Sequence, residues 1–237
     1  MEKPVKKPEQ QEIEVAKALV TPMQRRVFFR YAGASAAAAT LLLTTTSCDD
    51  DDDNTMMDPG AVDLGSGDTG ILNYAYALEQ LEAAFYTEVV AKSLGLFNAT
   101  EQQIMQDLKG HEMIHRDFLK AELGSKAIPN LEVNFEAINF TDKNSVLNTA
   151  KTFEDLGVAA YNGAGKLLDN AGFLTMAGKI VSVEARHAAI IRDLISNGTF
   201  SDTADTMGLD PAMMPADVLQ AAAPFIKTKI SANNLPK

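Results

Sequence analysis

Beyond residue 70 the chain returns again and again to apolar residues three and four apart, the period that lays them along one side of an α-helix. Four stretches carry it, at about residues 71–93, 100–124, 145–170 and 173–197. Thr100, with Gln103 three residues on, suits the start of the second, and Gly198 suits the end of the fourth. Short connections join the first stretch to the second and the third to the fourth, which predicts two antiparallel hairpins. About twenty residues, Pro129 among them, separate the hairpins and predict a long crossover. Residues 133–140 alternate somewhat, but a single strand would lack a partner, so they are expected as loop. Residues 199–237 form a tail with one short helix near 216–223, expected to pack on the bundle or on a neighbour. The fold class expected is all-α.

Acidic and imidazole side chains interrupt every apolar stripe. The first helix presents Leu72, Ala75, Glu79, Glu82 or Ala83, Tyr86 and Val90; the second Ile104, Leu108, Glu112, His115 and Leu119. The third presents Leu147, Ala150, Glu154, Gly157 or Val158, Tyr161 and Leu168; the fourth Ile180, Glu184, His187, Ile191 and Leu194. Moreover, the two hairpins repeat each other. LEQLEAAFY from Leu78 aligns without gaps on FEDLGVAAY from Phe153, matching Glu79 with Glu154 and Tyr86 with Tyr161. A Glu-x-x-His follows in each half, 33 residues after the lone glutamate in the first and 30 in the second.

An ionised carboxylate in an apolar core costs several kcal/mol unless it is paired or metal-bound. Four of them near one axis call for cations, and two divalent ions supply the matching charge. Glu and His three apart share a helix face, so Glu112 with His115 and Glu184 with His187 can each reach one ion. Oxygen donors with one imidazole per ion suit iron or manganese. Glu82, on the same side as Glu79, is either an extra ligand, a substitute for Glu79 or a solvated edge residue; its repeat partner is Gly157. His111 completes His-Glu-x-x-His with Glu112 and His115, the zinc protease motif. Under that reading His111 and His115 bind zinc and Glu112 is the general base. No sheet precedes the helix, Phe118 occupies the position where the extended protease motif has Gly, and Glu184 and His187 go unexplained. Otherwise His111 lies beside the ligands, on the access path or on a polar helix edge.

These residues resemble the ferritin-like carboxylate-bridged di-metal proteins, such as ferritins, rubrerythrins and manganese catalases. Their pattern is one Glu from each of two helices and a Glu-x-x-His from each of the other two. The resemblance implies a ferritin-like four-helix bundle with a long crossover between helices two and three. It also implies two divalent metal ions held by Glu79, Glu112, His115, Glu154, Glu184 and His187, with Tyr86 and Tyr161 donating hydrogen bonds to the carboxylates. The LEQLEAAFY start, the EARH motif at Glu184 and the tail from Pro215 to Ile226 resemble a branch that includes plant desiccation-related proteins. It implies a centre that reacts with dioxygen or hydrogen peroxide in oxidative or desiccation stress. The alternative is a metal-binding or structural protein without turnover.

Charge and the first seventy residues add a setting. The chain of 237 residues carries a net −11, and a third of its basic residues lie before Cys48, so the body is more acidic still. That balance keeps the body soluble and repels nucleic acid. A single Cys excludes a disulfide framework and a thiolate cluster. Arg25-Arg26, then Phe28-Phe29-Arg30 and an uncharged run to Ser47, resemble a twin-arginine export signal over residues 1–47, with Gln24 where Ser or Thr is usual. Thr45-Thr46-Ser47-Cys48 resembles a lipoprotein cleavage box, Thr45 standing in place of Leu, and implies lipidation of Cys48 and attachment to a membrane of the cell envelope. Five aspartates follow, Asp49 to Asp53, and open an acidic tether expected through residue 70, ahead of a bundle over 71–198. A homo-oligomer fits the sequence, whereas a closed storage cage conflicts with many lipid anchors.

Overall fold

A computed structural model describes residues 60–237; the expected export signal, the expected lipidation site at Cys48 and the acidic run lie outside the described residues. The described residues form one compact unit. Its frame is four long helices: α1 (Gly67–Lys92), α2 (Ala99–Leu123), α3 (Lys143–Gly165) and α4 (Ala171–Ile195). α1 packs along α2, α3 along α4, and the two hairpins meet through α1 and α3. The all-α bundle with its long crossover is the architecture expected from the hydropathy period.

Side-chain caps set the helix starts. Asn98, rather than Thr100, caps α2: its side chain accepts from the Glu101 amide while Glu101 accepts from the Asn98 amide, a reciprocal box. Gln103 instead reaches Asp107 one turn on. Asp142 caps α3, which begins two residues before the expected start, and Asn170 caps α4 by accepting from the amides of Gly172 and Phe173. Beyond Ile195, Gly198 turns the chain with φ +89°. α1 begins at Gly67, inside the expected tether, and Leu64 is fully buried. The Asp68 carboxylate accepts from the amides of Asp169 and Asn170, tying the first turn of α1 to the loop before α4.

α1 is buried on nearly every side, not along a single stripe. The crossover covers the side its neighbours leave open. Asn73 accepts from the Ile128 amide and donates to the carbonyls of Leu64 and Lys126, while Gln80 accepts from the Leu131 amide. Phe85 packs edge-on against Phe135 and Phe153. These polar residues are therefore clamps for backbone groups that would otherwise be stranded.

The tail closes the unit. The short helix α5 (Pro215–Ala222) buries Val218 and Ala222 against α3. Phe225 meets Phe153 with ring centres 4.7 Å apart. Val133, expected as loop without a partner, forms an isolated antiparallel bridge with Ile226. Farther on, β1 (Val62–Asp63) and β2 (Ile230–Ser231) pair in parallel, Val62 opposite Ile230. Where the tail crosses α3, the Met213 amide donates to the Ala159 carbonyl at 2.9 Å. This approach depends on Gly163, since a β-carbon there would lie 1.8 Å from the Met213 carbonyl oxygen. Gly163→Ala is therefore expected to destabilise the chain by about 3 kcal/mol, as overpacking does, and thermal unfolding will show a lowered melting temperature.

Candidate metal centre

The four helices bring the six predicted ligands together at the centre of the bundle. Glu79, Glu112, Glu154 and Glu184 are completely buried, and His115 and His187 nearly so. Helical geometry makes this possible. In α2 and α4 the Glu and His stand three apart and face the same way; in α1 and α3 the glutamate sits two turns from a tyrosine on the same side.

Two groups of ligand atoms result. One comprises Glu79, Glu112, His115 and Glu184; the other Glu112, Glu154, Glu184 and His187. In each group the atoms lie within 4.8 Å of one another. Glu112 and Glu184 belong to both, so they can bridge, while Glu79 and Glu154 each serve one side. His115 Nδ1 is 2.8 Å from Glu184 Oε1 and 3.5 Å from Glu79 Oε2 and Glu112 Oε2. His187 Nδ1 is 2.7 Å from Glu112 Oε1 and 3.4 Å from Glu154 Oε2. None of these approaches is aligned as a hydrogen bond: Glu79 Oε2, Glu154 Oε2, both oxygens of Glu112 and of Glu184, and both Nδ1 atoms are buried without a hydrogen-bond partner. Buried polar atoms in this state are costly. Eight of them converging from four helices fit a pair of cations, with oxygen donors and one imidazole for each.

The tyrosines cross between the hairpins. The Tyr161 hydroxyl of α3 donates to Glu79 Oε1 at 2.6 Å, and the Tyr86 hydroxyl of α1 donates to Glu154 Oε1 at 2.5 Å. Each bond occupies one oxygen and leaves the other aimed at the ligand group. Burial and the neighbouring carboxylates push both hydroxyls far above their usual range, which keeps them as donors.

His111 joins neither group. It is exposed, stacked on His187 with ring planes 6° apart, and its Nδ1 is 2.9 Å from His187 Nε2. Burial and the facing His187 lower its pKa and keep it neutral, so its Nδ1 can accept a hydrogen bond from Nε2–H and favour the tautomer in which Nδ1 of His187 is free of a proton. Glu82 joins neither group as well. It is buried, and a methyl added at Gly157 would sit 3.0 Å from Glu82 Oε1 and 3.5 Å from Glu184 Oε2. Gly157 thus leaves room for the side chain that breaks the repeat. Sequence reasoning missed a buried ion pair nearby. Arg192 of α4 binds Asp155 of α3 and Asp202 of the tail, a pairing that three separated charges did not announce.

The buried groups also shift one another's proton affinities. Burial alone would lower His115, but contact with Glu112, Glu184 and Glu79 more than reverses this and raises it to about 12. His187 rises to about 10 for the same reason, through Glu112 and Glu154. Burial works against the Glu112 carboxylate too, yet the two histidines hold it down to about 2. Burial raises Glu79 to about 7, assisted by the charge of Glu112, and pushes Glu184 well up. Metal ions held by these groups would have to displace the protons, since histidine ligates as a neutral imidazole.

Loading at neutral pH is accordingly expected to release on the order of one proton per ion or more, which a pH indicator in weakly buffered solution will record; affinity should fall as pH falls. Changing both His115 and His187 to Ala should abolish stoichiometric binding, and elemental analysis that still finds two ions per chain would defeat the assignment. His111→Ala, by contrast, should retain both ions and weaken one by about 10- to 100-fold, the usual effect of losing a partner of a ligating imidazole.

Comparison with known proteins agrees with the geometry. No curated protein sequence matches the chain. The sequence model of the ferritin-like domain matches residues 67–197, from the first turn of α1 to just past the end of α4, and so spans all six converging ligands. With more than half its length matched, the chain belongs to the ferritin-like domain family.

Proposed function

We propose that this chain is a di-iron or di-manganese protein whose centre reacts with dioxygen or hydrogen peroxide. The observation that carries the reading is the set of eight buried ligand atoms without hydrogen-bond partners, shared between two overlapping groups. A pair of such ions held there supplies two electrons, enough to take hydrogen peroxide and two protons to two waters, or dioxygen and two protons to hydrogen peroxide. Glu112 and Glu184 would hold both ions, Glu79 with His115 one of them, and Glu154 with His187 the other. Tyr86 and Tyr161 orient the outer glutamates, and His111 at the exposed side accepts the hydrogen bond of His187 Nε2–H. The apolar residues around the ligands limit water and strengthen every charge interaction within.

The setting we propose is the cell envelope, with export directed by Arg25-Arg26 and attachment through lipidated Cys48. Removal of peroxide or dioxygen there is a role in oxidative or desiccation stress. The protease reading requires His111 and His115 on one zinc ion, whereas His111 is turned to His187. A metal-binding protein without turnover is the competing outcome of the decisive experiment.

Stopped-flow mixing of the iron- and manganese-loaded chain with hydrogen peroxide and with dioxygen is expected to show oxidation of the centre by at least one of them. A fully loaded chain inert to both would establish the non-catalytic alternative.

A further inference from the structure

The two sides of the centre have different surroundings. On the Glu154 and His187 side lies the exposed, polar His111. On the Glu79 and His115 side lies a cavity of about 30 Å³. Its position follows from helix geometry. Ala75 lies four residues before Glu79, Leu119 four after His115, and Ile180 four before Glu184, so the cavity occupies the layer one turn from that ligand group. Tyr161, whose hydroxyl is bonded to Glu79, forms part of the wall between them. At the outer end the lining includes half-buried Leu72 and Phe173, placing the cavity between the ligand group and the end of the bundle.

Glu122 and the rings of Tyr74 and Tyr161 stand among the lining residues, but the surface they and their neighbours turn to this space is apolar. A cavity of that character stays dry and takes up nonpolar guests. Hydrogen peroxide would forfeit its hydrogen bonds to water on entering, which an apolar lining cannot replace. Dioxygen has none to lose and is small enough to fit. We infer that this cavity is a dioxygen-binding site that delivers dioxygen to the Glu79–His115 side of the centre. The inference rests on the reading that the centre reacts with an oxidant, and it selects dioxygen between the two.

Xenon provides a probe that requires neither metal nor turnover. Under xenon pressure, crystals of the metal-free full chain should hold xenon between Ala75, Tyr161 and Ile180. Two independent variants, Ala75→Leu and Ala164→Leu, fill the space from α1 and α3, and each is to be checked for helicity and for two ions per chain. Both should lose the xenon. In the iron-loaded variants, oxidation by dioxygen should slow by about tenfold or more while oxidation by hydrogen peroxide stays within about twofold. Xenon absent from the native cavity, or equal slowing with both oxidants, would overturn the inference. A native chain oxidised by dioxygen yet free of xenon overturns this inference alone. A loaded native chain inert to both oxidants overturns the functional reading and the dioxygen assignment with it.

Discussion

Carboxylate oxygens sealed inside an apolar bundle, six of them without a hydrogen-bond partner, are the constraint around which this fold is arranged. Glu112 and Glu184 bury both oxygens unpaired, and Glu79 and Glu154 one each. Such a core is tolerable when positive charge sits within it, from protonated imidazoles or from metal ions. The rest of the bundle divides the work of keeping these groups in place. Tyr86 and Tyr161 reach across from opposite hairpins, so neither half can move without disturbing a glutamate of the other. Asn73 and Gln80 hold the crossover against α1, and Asp68 holds the loop before α4. The tail adds Phe225 and α5 against α3.

Much of this was legible in the chain because metal ligation obeys the same period as helix burial. Glutamate and histidine recurring on apolar stripes, twice over, identify both the helix faces and the residues that converge at the centre. What escaped was decided by short-range competition or by distant contacts. Thr100 and Asn98 are both good caps, and Asn98 prevails because Glu101 is placed to return the bond. Asn73 and Gln80 look like a solvated edge of α1, and no periodicity reveals that backbone from residues 126–131 will cover them. Leu64 and Val62 read as tether because they are too few to show a pattern, yet they pack against a tail more than 160 residues later in the chain.

His111 illustrates how a short motif can mislead. Its spacing from His115 permits both rings to serve one ion, which is why the protease motif works on a helix. Here the ring of His187, brought in from α4, stacks against His111 and takes its Nδ1. The same imidazole that would be a ligand on an isolated helix becomes an acceptor beside one. Local sequence determines which side chains share a face; the neighbouring helix determines what that face meets.

The small parallel pair between β1 and β2 has a mechanical consequence. Its two rungs join the segment just ahead of α1 to nearly the last residues of the chain. A pull transmitted along the chain from before β1 is borne first by these rungs and by the buried Leu64, with the force running along the strands rather than prising them apart one bond at a time. The pair thus acts as a strain relief, in the manner of a cable clamp, between the chain ahead of Val62 and the helix that carries Glu79.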